Sequence, residues 1–307
     1  MLNNLNLLEK IILPEYRGTC AGVDYALEGI NDLLKSGKKI SLNHEIVHNK
    51  FVMESLSKNN VEVIENLEDV PDDSLYIISA HGGKKDLKNS KNLEIHDLTC
   101  HLVTKVHREA QKYYNLGYEI VLVGHGNHPE IKATMSYATM FLVENPEDVD
   151  HLNLDVKKKK VCLSQTTLSL YDKKDIIDKL IEKYPEIEIQ DDVCFATENR
   201  QKALEKIILQ EKPELVLVIG SRNSSNSVRL KEIALKYIYN THQIDNYQGI
   251  KLSWFKDVRN AVVTSGASVP NLLEDQVLIY LYINFGSFKI INKIRKDEKI
   301  HFSPYKF

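Results

Sequence analysis

The sequence predicts an α/β protein built on mostly parallel sheets. Short apolar runs alternate with amphipathic segments along the 307 residues, a pattern typical of βαβ units. Four central runs are almost wholly apolar, as expected for parallel strands that are covered on both faces. Polar residues follow many of the runs directly, where ligands bind in sheets of this kind. We therefore expect the functional site at the carboxyl ends of the strands.

The individual elements follow from composition and periodicity. Strands are predicted where β-branched and other apolar residues form short runs: Lys10–Leu13 and residues 61–65, 75–79, 119–124, 161–165, 215–220 and 261–264. Helices are predicted where apolar residues recur at helical spacing: residues 21–35, 50–58, 102–116, 170–184, 197–210, 225–237 and 271–283. Proline suits the first position of a helix, so Pro129 places Glu130 in a first turn.

Three cysteines suggest a division into three domains. Cys20, Cys100 and Cys194 each lie between a predicted strand and a predicted helix, and about one small α/β unit separates each from the next. The expected domains are residues 1–100, residues 101–193, and residues 194–307 with a C-terminal tail. The strand within residues 10–15 is a candidate to pair with the sheet of the third domain.

Composition excludes several classes of function. The net charge of −3 offers no electrostatic basis for binding nucleic acid. No apolar stretch approaches the roughly 18 residues of a membrane span, and the N-terminus does not resemble a secretory signal. Four cysteines in a chain of this length do not form a disulfide scaffold. We expect a cytoplasmic protein whose thiols serve as ligands or as packing.

The same three cysteines are candidate metal ligands. A thiolate is favoured at a helix start, and three thiolates leave one position of a metal centre open, as catalytic sites do. Structural zinc usually takes a fourth protein ligand, whereas three thiolates on a 4Fe-4S cluster leave one iron available. Cys162 lies within an apolar strand, where cysteine commonly packs as a small hydrophobe.

Histidines form a second group at strand ends. They are His44, His48, His81, His125 and His128. A single histidine there is often structural, but several at one edge indicate an anionic ligand or a second set of metal ligands. Glu130 either complements a helix dipole or, beside these histidines, serves as a proton donor.

Three loops rich in hydroxyl groups also follow predicted strands: residues 165–169, 220–227 and 264–270. Serine and asparagine are common helix caps, but residues 220–227 offer more such side chains than one cap requires. Hydroxyls, amides and helix N–H groups can hold phosphate oxygens. The chain has no GxxxxGK[ST] loop and no GxGxxG fingerprint, which argues against an ordinary nucleotide enzyme.

Taken together, these motifs resemble the LytB family of 4-hydroxy-3-methylbut-2-enyl diphosphate reductases. The motifs that carry the resemblance are Arg17-Gly18-x-Cys20-Ala21-Gly22, Glu45-Ile46-Val47-His48-Asn49, Ser79-Ala80-His81-Gly82, Thr99-Cys100, His128-Pro129-Glu130, Gln165-Thr166-Thr167-Leu168-Ser169, Cys194-Phe195-Ala196-Thr197 and Ser224-Ser225-Asn226-Ser227. They occur in order and cover most of the chain. The resemblance implies a trefoil of three βα domains around a central 4Fe-4S cluster.

The resemblance also implies roles for individual residues. The cluster ligands would be Cys20, Cys100 and Cys194. Glu130 would donate a proton, and Thr166 would orient the substrate hydroxyl and relay protons. The residues expected to bind the diphosphate substrate are His48, His81, His128, Thr167, Ser224, Ser225, Asn226 and Ser268. The implied reaction is the reductive dehydroxylation of an allylic diphosphate to isopentenyl and dimethylallyl diphosphate, the last step of the methylerythritol phosphate route, with ferredoxin or flavodoxin as electron donor.

Four residues depart from the family pattern beside the expected site. Thr19 replaces the usual Phe, His101 the usual Pro and Phe195 a common Tyr. Asn127 follows Gly126 where the family more often has Ala-Gly ahead of His-Pro-Glu. None of them removes an expected ligand or the proton donor. Two alternatives therefore stay open: a divergent paralogue with another substrate, and a non-catalytic sensor that holds a cluster or zinc, with His101 as a possible fourth ligand.

Overall fold

A computed structural model gives the structure of the protein. It describes residues 7–89, 93–190, 192–292, 294–295 and 302, without the side chains of residues 88–89 and 170–172. The strands in this part of the chain are β1 (Lys10–Leu13), β2 (Lys39–Leu42), β3 (Val61–Val63), β4 (Ser74–Ile78), β5 (Glu94–Asp97), β6 (Glu119–Val123), β7 (Phe141–Val143), β8 (Lys160–Ser164), β9 (Glu188–Ile189), β10 (Leu215–Ile219), β11 (Thr241–Ile244), β12 (Asn260–Ser265) and β13 (Lys289–Asn292). The helices are α1 (Ala21–Leu34), α2 (Lys50–Ser57), α3 (His101–Asn115), α4 (Pro129–Met135), α5 (Asp148–His151), α6 (Leu170–Lys183), α7 (Phe195–Glu211), α8 (Ser225–Leu235) and α9 (Asn271–Phe285).

The chain divides into two compact units. The first unit comprises Met1–Ala21, His48–Val52 and Phe195–His301, and the second comprises Gly22–Val47, Met53–Cys194 and Phe302–Phe307. The expected domain boundaries after residues 100 and 193 stay a prediction.

The first unit contains a parallel sheet in the order β11-β10-β12-β1-β13. The first strand of the chain thus lies between two of its last strands. Strand β10 shows why the sequence folds this way, because all of its residues, LVLVI, are buried. Leu217 and its alternate neighbours pack with Leu273 of α9, while Val218 packs with Leu204 of α7 and Leu230 of α8. Helices therefore cover both faces of this sheet.

The second unit contains two parallel sheets, β3-β2-β4-β5 and β7-β6-β8-β9. In β6, Val121 packs with Leu180 of α6 on one face. On the other face, Leu122 packs with Val106 and Ala110 of α3. The alternation along the strand places both neighbours in apolar cores, as expected for a parallel strand buried on both sides.

The expected α/β fold with parallel sheets is confirmed by these three sheets within the described residues. Every predicted strand and helix is present, but the sequence analysis missed β2, β5, β7, β9, β11 and β13. All of these except β2 are edge strands, which pair on one side only and tolerate polar residues. The predicted C-terminal tail beyond Asn292 lies outside the described residues, apart from residues 294–295 and 302. A search of the described helices for a long, apolar segment able to cross a membrane finds none.

The position of β1 in the sheet predicts a large stability effect. Ile12 is 0 % exposed, and its truncation by Ile12→Ala should lower the free energy of unfolding by about 2–5 kcal/mol, because it removes apolar contacts and leaves a cavity. Ile290→Ala in β13 is the matched control, since Ile290 is 46 % exposed and its loss should cost less than about 1 kcal/mol. Urea unfolding followed by fluorescence of Trp254, the only tryptophan, measures both. Equal losses in the two variants would contradict the sheet position of Ile12.

Candidate active site

The three candidate metal ligands occupy equivalent local positions. Cys20 directly precedes α1, Cys100 is the N-cap residue of α3, and Cys194 directly precedes α7. Their side chains are half-buried thiols rather than disulfides. Each cysteine N–H donates to a backbone carbonyl in a loop at the carboxyl end of a strand. The acceptors are Ala267 for Cys20 (3.1 Å), Ala80 for Cys100 (3.1 Å) and Thr166 for Cys194 (2.9 Å).

The donor chemistry fits a thiolate-bound metal group. The exposed N–H groups of a helix start stabilise a thiolate. At Gly22, an added Cβ would lie 2.6 Å from the Cys100 sulfur, so glycine keeps space open beside this thiol. Among the described residues, no three His, Cys, Asp or Glu side chains are grouped closely enough to hold a single metal ion. A cubane cluster has a different requirement, because each thiolate binds a different iron atom.

Cys162 lacks the properties of a ligand. It is 1 % exposed in β8, and burial raises the pKa of its thiol to about 12. A thiol with this pKa stays protonated at neutral pH, whereas a metal ligand must be a thiolate. Cys162 packs with Val121 in an apolar cluster instead, as the sequence analysis expected of a strand cysteine.

A buried carboxyl group lies beside the loop that follows β8. Glu130, in the first turn of α4, is 1 % exposed. The Thr166 N–H donates to one Glu130 carboxyl oxygen (2.7 Å), and the Thr166 hydroxyl donates to the other (2.9 Å). The carbonyl of the same threonine accepts the Cys194 N–H. Thr166 thus connects the candidate proton donor with the backbone of a candidate cluster ligand.

Burial raises the pKa of Glu130 to about 7. The two hydrogen bonds from Thr166 act in the opposite direction, and the nearby negative charge of Asp192 raises the pKa further. Asp192 is itself buried and held by Lys105 (3.2 Å) and by the Ser164 N–H (3.1 Å). A carboxyl group with a pKa near neutrality can hold a proton and release it at neutral pH, as a general acid must.

Two of the predicted anion-binding histidines lie together in the second unit. The ring centroids of His81 and His128 are 5.7 Å apart, and those of His44 and His81 are 6.0 Å apart. His128 caps α4, where its Nδ1 accepts the Glu130 N–H (3.2 Å). A neutral His128 ring therefore carries its proton on Nε2, which makes that nitrogen a donor.

The Thr167 side chain is held by a hydrogen bond within the loop that also carries Thr166. Its hydroxyl accepts a hydrogen bond from Gln165 Nε2 (2.8 Å), while Gln165 Oε1 accepts the N–H of His125 (3.1 Å). The predicted site residues of the second unit are thus Cys100, Cys194, His81, His128, Glu130, Thr166 and Thr167.

The other predicted residues form a polar group in the first unit. Ser224 caps α8, and its hydroxyl lies 3.3 Å from that of Ser268. The Ser268 hydroxyl donates to the carbonyl of His48 (3.0 Å). Asn226 Oδ1 accepts a hydrogen bond from Thr197 (2.8 Å), which orients the amide. Ser225 is half-buried at the start of α8, and Cys20 is anchored through Ala267, next to Ser268.

Sequence reasoning missed two residues that hold these loops in place. Asn43 accepts the Ser79 N–H (2.8 Å) and donates to the Gly82 carbonyl (2.9 Å), so it closes the loop that carries His81. A polar residue directly after a strand, as Asn43 is after β2, would have indicated this role, but the sequence analysis missed β2. Arg200 is buried and donates to the carbonyls of Gly18 (2.7 Å) and Thr19 (3.2 Å). It lies on α7, six residues after Cys194, and the sequence analysis gave it no role.

The unusual His101 belongs to an aromatic cluster beside Cys100. Its ring lies 4.3 Å from that of Phe302 and 5.1 Å from that of Tyr25. Because His101 adjoins the candidate cluster ligand Cys100, the sequence predicts it as a possible further metal ligand. The structure gives its ring a packing role within the second unit.

Comparisons with known proteins agree on one family. The family model described as LytB protein matches residues 11–282. A protein from Salmonella paratyphi A named 4-hydroxy-3-methylbut-2-enyl diphosphate reductase is 41 % identical over 304 residues, covering 95 % of each chain. A protein of the same name from Colwellia psychrerythraea is 41 % identical over 305 residues, covering 96 % of this chain and 98 % of that one. A solved reductase structure from Plasmodium falciparum has a TM-score of 0.89 and 34 % identity, covering 95 % of each chain.

The Glu130–Thr166 contact predicts a measurable titration. Because the pKa of Glu130 is raised to about 7, its carboxylic acid infrared band should be present at acid pH and vanish with a midpoint near neutrality. In Thr166→Val the backbone N–H contact remains but the hydroxyl donor to the carboxylate is lost, so the midpoint should move to higher pH. Infrared difference spectra of Glu130→Gln identify the band. A midpoint at the ordinary glutamate pKa, or a downward shift in Thr166→Val, would contradict this account of the site.

Proposed function

Because this chain belongs to the LytB family, we propose that it is a 4-hydroxy-3-methylbut-2-enyl diphosphate reductase. The observation that carries the proposal is the buried Glu130–Thr166 pair: expelling a hydroxyl group as water needs a proton donor, and burial raises the pKa of Glu130 to about 7, so that it can hold a proton near neutral pH. The substrate, two electrons and two protons would give water and isopentenyl or dimethylallyl diphosphate. Relatives of that name at 41 % identity support the assignment.

The proposed cofactor is a 4Fe-4S cluster held by Cys20, Cys100 and Cys194. Bound through three thiolates, such a cluster would pass electrons from the donor protein to the substrate and would offer one iron as a Lewis acid. The support from this chain is the half-buried position of the three thiols at helix starts. The protein's own contribution is to place each thiol at a helix start, where a thiolate is favoured, and to hold the three cysteine N–H groups in backbone hydrogen bonds.

The proposed proton path runs from Glu130 through Thr166. The acid holds its proton below about pH 7 because burial disfavours the carboxylate. When Glu130 is protonated, its O–H can donate across the 2.9 Å contact to the Thr166 hydroxyl, which accepts this proton while it passes its own to the departing hydroxyl of the substrate. Returning a proton from solvent to Glu130 would complete the cycle. Raising the pH through about 7 should therefore lower turnover, because it removes the proton of Glu130.

The diphosphate is proposed to bind hydrogen-bond donors at strand ends. Its ligands would be His48, His81, His128, Thr167, Ser224, Ser225, Asn226 and Ser268. Imidazole N–H groups and hydroxyls donate hydrogen bonds to phosphate oxygens, and the N-terminus of α8 adds a favourable dipole. The electron donor is proposed to be a ferredoxin or flavodoxin, and the enzyme to work in the reducing cytoplasm without nucleic acid or membrane.

The two alternatives make different demands on the site. A metal-holding sensor has no use for a buried carboxyl group with a pKa of about 7, and His101 is engaged with Phe302. A divergent paralogue would keep the proton path but turn over another substrate. Anaerobic turnover of 4-hydroxy-3-methylbut-2-enyl diphosphate, with a reduced viologen dye as electron source, separates the alternatives. Cluster-loaded protein that leaves the dye reduced would refute the proposed reductase.

The proton-donor role is tested by Glu130→Gln. The amide keeps the shape of the side chain but holds no transferable proton, so turnover should fall at least about a hundredfold. Iron content and substrate binding should be unchanged. The exposed Glu147→Gln, on the adjoining turn before α5, is the control and should keep full turnover. Near-normal turnover by Glu130→Gln would exclude the role.

The cluster ligands are tested by comparing two cysteine variants. Cys100→Ser replaces a half-buried candidate ligand, and Cys162→Ser replaces the buried packing cysteine. Protein purified without oxygen should lose most of its iron, sulfide and brown colour in the first variant and retain them in the second. An intact cluster in Cys100→Ser would refute the assignment, whatever the activity.

A further inference from the structure

We propose that a cavity in the first unit binds a small phosphate-bearing anion at a site separate from the proposed substrate residues. The cavity has a volume of about 320 Å³, at the lower end of the range of about 300–1,000 Å³ for small-molecule sites. It lies beside the ends of β10 and β11, where Gly220, Gln243 and Ile244 contribute to its lining. The proposal does not depend on the proposed reductase activity.

The lining of the cavity is rich in positive charge. Among the described residues of its lining, Arg222, Lys231 and Lys251 face it, against a single carboxylate, that of Asp245. Within the described residues, none of these three cations has a carboxylate oxygen within 4.0 Å. Three unpaired cations around one concave space favour an anionic ligand that carries two or more charges.

An aromatic pair forms a rigid wall of the same cavity. The rings of His242 and Trp254 stack with centroids 3.7 Å apart and an angle of 6° between their planes. Asn240 connects the two, because its Oδ1 lies 2.8 Å from His242 Nε2 and its Nδ2 donates to the Trp254 carbonyl (2.9 Å). This wall is therefore formed before any ligand binds, which limits the entropy lost on binding.

The charges converge on this wall. Burial lowers the pKa of His242, and the positive charges of Lys231 and Lys251 lower it further. Both ammonium groups thus act on one ring, although Lys231 belongs to α8 and Lys251 follows a separate turn after β11. An anion bound between them would relieve the repulsion among these groups.

The cavity is distinct from the residues assigned to the diphosphate substrate. Its lining in the described chain includes Gly220 and Arg222 but neither Ser224 nor Asn226. The Gln243 side chain in the cavity lining also contacts the backbone of the loop that leads to Ser224. Its Nε2 donates to the carbonyls of Gly220 and Ser221 (both 3.0 Å). Occupation of the cavity can therefore affect the loop that leads to Ser224.

A second cavity in the other unit shows why charge singles out this one. That cavity is larger, about 750 Å³, but its lining mixes acidic and basic side chains. The acidic members are Glu65, Glu68 and Asp69, and the basic members are His44, Lys84 and Lys132. Such a balance favours neither anions nor cations, whereas the lining of the smaller cavity favours an anion.

Binding of inorganic diphosphate to the full-length chain tests the proposal. In the background of Ser224→Ala with Asn226→Ala, equilibrium dialysis should find one diphosphate per chain, and the emission of Trp254, the only tryptophan, should change with the same midpoint. Adding Lys231→Ala and Lys251→Ala should weaken binding at least about tenfold, because two charge-assisted contacts are lost. All titrations are compared at constant ionic strength.

Lys206→Ala with Lys256→Ala is the matched control. Both lysines are exposed in the same unit and lie outside the cavity, so this pair should leave the affinity within about twofold. Equal weakening in the control would show a general charge effect and overturn the proposal. Absence of saturable binding in the starting background, or saturable binding that leaves Trp254 emission unchanged, would also overturn it.

Comparison of two anions identifies the source of the phosphate group. Tighter binding of isopentenyl diphosphate than of inorganic diphosphate would indicate that the site recognises a phosphorylated organic molecule through contact with Trp254. Equal affinity would indicate a site for the free anion. Either result supports the cavity as an anion site, provided that Lys231→Ala with Lys251→Ala weakens the binding of the anion.

Discussion

The chemistry of the second unit depends on three hydrogen bonds made by one threonine. The Thr166 N–H and hydroxyl donate to the two carboxyl oxygens of Glu130, and its carbonyl accepts the Cys194 N–H. A candidate proton donor and a candidate cluster ligand are therefore held by the same residue. A displacement of the loop after β8 would move both groups, so the geometry of proton transfer and that of the thiol cannot vary independently.

The environment of Glu130 explains why the pKa of its carboxyl group lies near neutrality. A buried carboxylate loses its hydration, and burial accordingly raises the pKa of Glu130 to about 7 against the effect of its Thr166 contacts. Asp192 lies nearby but is compensated by Lys105 and by a backbone N–H. Two acidic side chains in one region thus lie in different electrostatic environments, because one is paired with a cation and the other is not.

The first unit presents a polar surface built from backbone geometry and hydroxyl groups rather than from a buried acid. Gly220 adopts φ +143°, and an added Cβ would lie 2.0 Å from the Ser227 hydroxyl, so glycine is required at this turn into α8. The Ser224 and Ser268 hydroxyls meet beyond it. The cavity next to Gln243 carries positively charged side chains instead, which suits the anion site proposed there.

The sequence by itself determined the α/β class, the strand-end position of the site, the three cysteines at helix starts and the acid in the first turn of α4. These features follow from local periodicity and from the chemistry of residues near each other in the chain. Only the tertiary structure decided that Thr166 contacts Glu130, that Asn43 closes the His81 loop and that Lys231 and Lys251 act on one histidine. These pairs lie far apart in sequence or on edge strands too short and polar to predict, and the pKa of a buried group depends on neighbours that folding alone brings together.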